Sequence, residues 1–180
     1  MAVRDPMQRR MTLNRLSGFT LVEVMISVAV VAILLMIGIP SFRYVTNSNR
    51  IAAEINGLLG DMQYARAEAI KEGQPITVCV SSNGTSCANV NTWQNGWIVL
   101  NAASNVILRV QKTFASTDTF VATNGVGAVT FNREGYANGI ANGTLIALHD
   151  TTNTHNWTRC LSLNLSGMML SQTYNGVTCN

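Results

Sequence analysis

The sequence predicts an α+β protein: one long N-terminal helix followed by an antiparallel β domain. Three observations predict it. An apolar run of 21 residues, Phe19 to Ile39, carries a single charge, Glu23. Beyond Pro40, Ile51, Ile55, Leu58, Met62, Ala65 and Ala69 recur at steps of four and three, which is one face of an amphipathic helix. After Gly73 the texture changes to short β-branched and apolar runs divided by Asn-Gly pairs. A helix followed by a series of strands is the α+β arrangement.

The N-terminal segment MAVRDPMQRRMTLNRLSG holds Arg4, Arg9, Arg10 and Arg15 against one acid, Asp5. Positive charge beside a first apolar span holds that end in the cytoplasm, so the rest of the chain is expected outside. A secretory signal is cut after its apolar run at a small-residue motif. Here Ile39 is followed by Pro-Ser-Phe-Arg-Tyr, so the run is expected to be retained. As a helix, Phe19 to Ile39 is about 30 Å long, enough to cross a bilayer core. An acid inside such a span costs on the order of 2.5–3.5 kcal/mol and marks a functional position.

The amphipathic stripe extends the helix to about Glu72, with Gly73 as its stop and Pro75 beyond. A bend or local melting is expected near Gly38–Pro40, where proline removes a backbone donor. Arg50 and Glu54 stand at i, i+4 spacing and are expected to pair. Six or more antiparallel strands are then expected, among them 75–80, 96–100, 106–110, 128–131, 144–148 and 160–165. Turns are expected at Asn83-Gly84, Asn95-Gly96, Asn124-Gly125, Asn138-Gly139 and Asn142-Gly143.

Of twelve basic and nine acidic side chains, the first 18 residues hold four and one, so the remainder has eight of each. Phe19 to Asn180 thus has no basic surplus to attract phosphates. Cys79, Cys87, Cys160 and Cys179 all lie on the side placed outside the cytoplasm, where disulfides persist. Four cysteines allow three pairings. Their spacings are not those of a zinc site.

The segment Gly18-Phe19-Thr20-Leu21-Val22-Glu23, behind a basic leader and ahead of a long apolar helix, resembles the class III signal of type IV pilins and type II secretion pseudopilins. That resemblance implies cleavage by a prepilin peptidase between Gly18 and Phe19, and methylation of the new amine on Phe19. It also implies a role for Phe19 and Glu23 in assembly, with Glu23 of one subunit pairing with the terminal amine of a neighbour. A buried acid that gains such a partner is strongly favoured over a lone one. Cys79, Cys87 and Trp93-Gln94-Asn95-Gly96-Trp97 resemble a segment of the GspH/FimT-like family. So do Phe131-Asn132-Arg133-Glu134-Gly135 and Arg159-Cys160-Leu161-Ser162-Leu163 with Ser166-Gly167. The resemblance implies the long pilin helix packed on two small antiparallel sheets. The sequence-local pairing, Cys79–Cys87 and Cys160–Cys179, matches the habit of related minor pilins.

The resulting expectation is a cleaved leader over 1–18, a transmembrane assembly helix over 19–39, its amphipathic continuation over 40–72 and an extracytoplasmic β domain over 73–180. The protein is expected to wait in the bacterial inner membrane as a single-pass precursor, with its C-terminal domain in the periplasm. It is then expected to join major and minor pilins in a type IV pilus, in a tip complex that primes assembly. A type II secretion pseudopilin of the H type is the nearest alternative, and an anchored protein with an accidental signal match is another. DNA-binding members of the family continue their C-terminal strand as G-R-x-R. Here Gly167, Met168, Met169 and Leu170 stand at that place, which disfavours DNA as a partner, because methionine supplies no cation for phosphate. Arg133, Arg159 and Lys112 are the remaining basic candidates. No enzyme, cofactor or metal is expected: His149 and His155 are spaced H-x5-H in a Thr/Asn loop, and neither Ser81-Ser82 nor Ser166-Gly167 forms a nucleophile elbow. Trp93 and Trp97 read as core, and Trp157 as the most exposed of the three tryptophans.

Overall fold

The computed structural model describes residues 18–114, 118–149 and 157–174. The chain divides into two units, 1–42 and 43–180. One helix, α1 (Leu21–Glu72), begins in the first and ends in the second. Thr20 starts it: the Glu23 amide donates to Thr20 Oγ1 at 3.2 Å, and the Val24 amide to the Thr20 carbonyl. A threonine with an acid three residues on is the spacing of a capping box. Gly73 ends the helix with φ +66, the left-handed conformation of a C-terminal stop.

The expected melting at Gly38–Pro40 does not occur, and Pro40 lies inside continuous helix. Proline cannot bond to the carbonyl four residues back, but its fixed φ is compatible with a helix, and the turns on either side persist. Within the first unit the helix is exposed throughout, long and apolar enough to cross a membrane.

In the second unit, α1 buries the expected stripe of Ile51, Ile55, Leu58, Met62, Ala65 and Ala69. Nine strands follow among the described residues. One sheet has the order β3-β2-β1-β5-β6, with β1 (Ile76–Val80), β2 (Gly96–Asn101), β3 (Ile107–Lys112), β5 (Ala128–Phe131) and β6 (Ala137–Asn138). The other has the order β4-β7-β8-β9, with β4 (Thr119–Ala122), β7 (Thr144–His149), β8 (Arg159–Leu163) and β9 (Met169–Thr173). All pairings are antiparallel.

Alternate residues of both sheets meet the helix stripe in one core: Val78, Val99 and Phe131 from the first sheet, Phe120, Ile146 and Leu161 from the second. β4, β6 and β9 were not among the expected strands. β6 has two residues, β4 has four, and β9 is the partly polar edge run Met-Leu-Ser-Gln-Thr. Such segments become strands through their neighbours rather than through their own pattern.

Trp93 and Trp97 are fully buried, and each indole N–H has a partner: the Val126 carbonyl at 3.0 Å and Asp61 Oδ2 at 2.9 Å. Trp157 is the least buried of the three, yet it packs against the core with its ring 5.7 Å from that of Tyr44.

Candidate functional site

The first candidate is the start of α1. Gly18 and Phe19 precede the helix and are exposed, Phe19 by 82%. The Gly18–Phe19 bond therefore lies in non-helical backbone just outside the Thr20 cap, the form of chain a peptidase can take into its site. Glu23 is also exposed, in the first helical turn, where an anion gains about 0.3–1 kcal/mol from the helix dipole. Ser27 Oγ donates to the Glu23 backbone carbonyl at 2.7 Å and leaves the carboxylate alone. Among the described residues no cation lies within ion-pair reach of that carboxylate. Thr20 caps this end of the helix, and its T-x-x-E spacing is the sequence signal for the cap. The leader up to Ser17 lies outside the described residues.

The second candidate is the frame of the β domain. Cys79, buried in β1, is bonded to Cys87 and closes a loop that returns to the sheet, where the Ala88 amide donates to the Val80 carbonyl at 2.7 Å. Cys160 is buried in β8, and its expected partner Cys179 lies outside the described residues. The Arg50 guanidinium reaches beyond its own helix. It makes a two-pronged contact with Asp118, Nε to Oδ2 at 2.8 Å and Nη2 to Oδ1 at 3.0 Å, with Nη1 donating to Asn47. Asp118 is buried, and a planar guanidinium matches a carboxylate better than a flexible neighbour on the same helix face does.

The third candidate surrounds Gly167, Met168, Met169 and Leu170. Gly167 sits in the β8–β9 turn at φ +75. A methyl group there would overlap the Gly135 carbonyl oxygen and stand 3.1 Å from Arg66 Nε. A methyl on Gly135, φ +82, would press Ile70 Cδ1 at 2.9 Å. Arg66 reaches from α1 into this corner: Nε donates to the Gly135 carbonyl at 3.0 Å and Nη2 to the Ser166 carbonyl at 3.3 Å. The Ala137 amide donates to the Leu165 carbonyl at 2.9 Å. The Phe131–Gly135 and Ser166-Gly167 elements, far apart in sequence, are thus clasped together by one arginine of the helix. Met169 packs on the core, whereas Met168 and Leu170 point outward, 65% and 58% exposed.

The basic candidates stand on separate elements. Lys112 ends β3 in the first sheet, Arg159 opens β8 in the second, and Arg133 lies in the β5–β6 turn bonded to Glu134 at 2.7 Å. That contact holds the Glu134 carboxyl below the usual carboxylate range and raises the Arg133 guanidinium. His149 Nδ1 lies 3.1 Å from Thr158 Oγ1, and His155 is outside the described residues.

Comparison with known proteins bears on all three places. The family model described as "Type II transport protein GspH" matches residues 54–167, and the prokaryotic N-terminal methylation motif matches residues 13–39. No curated protein matches the chain. Among solved structures it is similar to the type IV minor pilin FimU of Pseudomonas aeruginosa in two crystal forms. In one the TM-score is 0.58 at 21% identity, covering 73% of this chain and 93% of that one. In the other it is 0.53 at 22% identity, covering 69% and 91%. The helix packed on two antiparallel sheets is the fold of those minor pilins.

Proposed function

Because the chain belongs to the GspH family and carries the prokaryotic N-terminal methylation motif, we propose that it is a minor pilin of a type IV pilus. It is made as an inner-membrane precursor with its β domain in the periplasm, cut by prepilin peptidase between Gly18 and Phe19, and methylated on Phe19. It then joins major and minor pilins in a complex that primes assembly and sits at the pilus tip. Residues 19–39 span the membrane before assembly, 40–72 continue the helix and 73–180 form the exported domain, stapled by Cys79–Cys87 and Cys160–Cys179. The function is structural and uses no cofactor.

One observation carries this reading. The apolar helix ahead of the β domain is wholly exposed, and the single charge in its span, Glu23, stands in the first turn with no cationic partner among the described residues. A surface of that composition needs lipid or other helices around it. After cleavage the Phe19 amine supplies the matching charge, one turn from its own Glu23 and available to the Glu23 of a neighbour. The DNA reading stays disfavoured, with Met168 and Leu170 at the two arginine positions of G-R-x-R and the three basic candidates on separate elements.

The family description favours one alternative, an H-type pseudopilin of type II secretion. Two measurements separate the outcomes. Intact mass and N-terminal sequencing of the cellular protein are expected to show a chain starting at methylated Phe19, and a mature protein that keeps Met1 and Arg15 would sink the reading. Glu23→Ala is expected to be processed normally but to be scarce in sheared pili. Wild-type Glu23 protein that is absent from pili but required for secretion would select the pseudopilin.

A further inference from the structure

A groove of about 430 Å³ lies beside the Arg66 clasp, lined by Gln63, Arg66, Ala67 and Ile70 of α1 and by Gly167, Met168 and Met169 of the β8–β9 corner. We infer that this groove docks an acidic side chain flanked by apolar residues on a neighbouring pilin-type subunit. The inference rests on the assembly reading above and adds the surface and the chemistry of its partner.

Charge complementarity argues for this occupant. Arg50, Lys71, Arg109 and Arg133 each have a carboxylate partner within 2.9 Å. Arg66, like Arg43, Lys112 and Arg159, has none among the described residues. It donates from Nε and Nη2 to two neutral carbonyls, which hold the guanidinium still and leave Nη1 with its pair of N–H donors. A fixed guanidinium binds a carboxylate without first losing its own freedom. It is half-buried, so an incoming carboxylate meets it with less water between.

The walls define the rest of the ligand. Ile70 is 53% and Met168 65% exposed, so the groove walls present apolar surface to solvent. Apolar surface around a fixed polar anchor is the composition of a protein-binding site. Methionine side chains adapt to an irregular partner. A nucleic acid would need several cations tracking a phosphate chain, and the groove lining contains one.

The test uses the full chain in lipid nanodiscs with 13C-methyl methionine, titrated with hexanoate, hexanol and acetate. Hexanoate is expected to shift the Met168 and Met169 methyls saturably. Hexanol and acetate should bind about tenfold more weakly, since each lacks the charge or the apolar stem. Arg66→Gln should erase the preference for hexanoate over hexanol. Hexanoate no better than hexanol, or a preference unchanged by Arg66→Gln, would overturn the inference.

Because Arg66 also supports the fold, Met168→Asp provides a second arm at an exposed position. It should leave the unfolding transition and the Phe19 N-terminus unchanged while reducing the subunit in sheared pili severalfold. Wild-type incorporation would overturn the docking role and leave the Glu23 result untouched. Failure of Glu23→Ala to alter incorporation would instead strike the assembly reading.

Discussion

Replacing Gly167 by alanine tests the idea that the corner is closed by two glycines and an arginine. Three costs arise there. Alanine at φ +75 is held in the left-handed region, at about 1–2 kcal/mol. Its methyl overlaps the Gly135 carbonyl oxygen, a backbone atom that cannot rotate away, and overpacking of this kind costs roughly 1–3 kcal/mol. Moving that carbonyl breaks its bond from Arg66, and hydrogen bonds to charged groups contribute about 1.5–3 kcal/mol. These overlap, so the expected loss is about 3–5 kcal/mol, a large share of the stability of an ordinary domain.

Gly143 supplies the control. Its φ is also +75, but nothing lies within 4 Å of the position a methyl would take, so Gly143→Ala should cost only about 1–2 kcal/mol. Thermal unfolding of the full chain in detergent, followed by fluorescence of the buried Trp93 and Trp97, reads the difference. At roughly 2–4 °C per kcal/mol, a gap of about 2.5 kcal/mol separates the two variants by roughly 5–10 °C. Equal Tm values would refute the clasp and leave backbone conformation as the whole effect.

Two further outcomes follow from the frame of the domain. Cys79→Ala/Cys87→Ala removes a bridge between residues 8 apart, and urea unfolding should show a loss of about 2.5 kcal/mol, with a loss below ~1 kcal/mol contradicting a stapling role. Arg50→Met leaves Asp118 buried without its guanidinium. Because Arg50 is 38% exposed, the cost should fall below that of a fully buried pair, at about 2–3 kcal/mol, and Arg50→Met/Asp118→Leu should recover most of it. A double variant as unstable as the single one would show that the pair is not the cause.

Local pattern carried a large part of the molecule. The apolar stripe from Ile51 to Ala69 is a matter of helical period, and every member is buried. Six strands were legible because β-branched runs and Asn-Gly turns are short-range signals. The acid at Glu23 was legible because a charge within an apolar run is costly, and the T-x-x-E cap beside it was written in the same four residues. Of the two outcomes expected at Pro40, melting is absent: the missing donor is visible in sequence, whereas the persistence of the helical turns on either side is not.

What the sequence could not reach is pairing at a distance. Arg50 and Asp118 are 68 residues apart, and Arg66 is 69 from Gly135 and 100 from Ser166. An arginine on an amphipathic helix reads as a solvated face until folding brings two carbonyls to it. β6 and β9 have little pattern of their own and become strands because β5 and β8 offer them hydrogen bonds. Composition along the chain therefore determined the class, the long helix and the acid in its span. The joining of two sheets, the clasp at Gly135 and Gly167 and the groove beside it were decided in three dimensions, because each depends on backbone groups that every residue carries and no residue type announces.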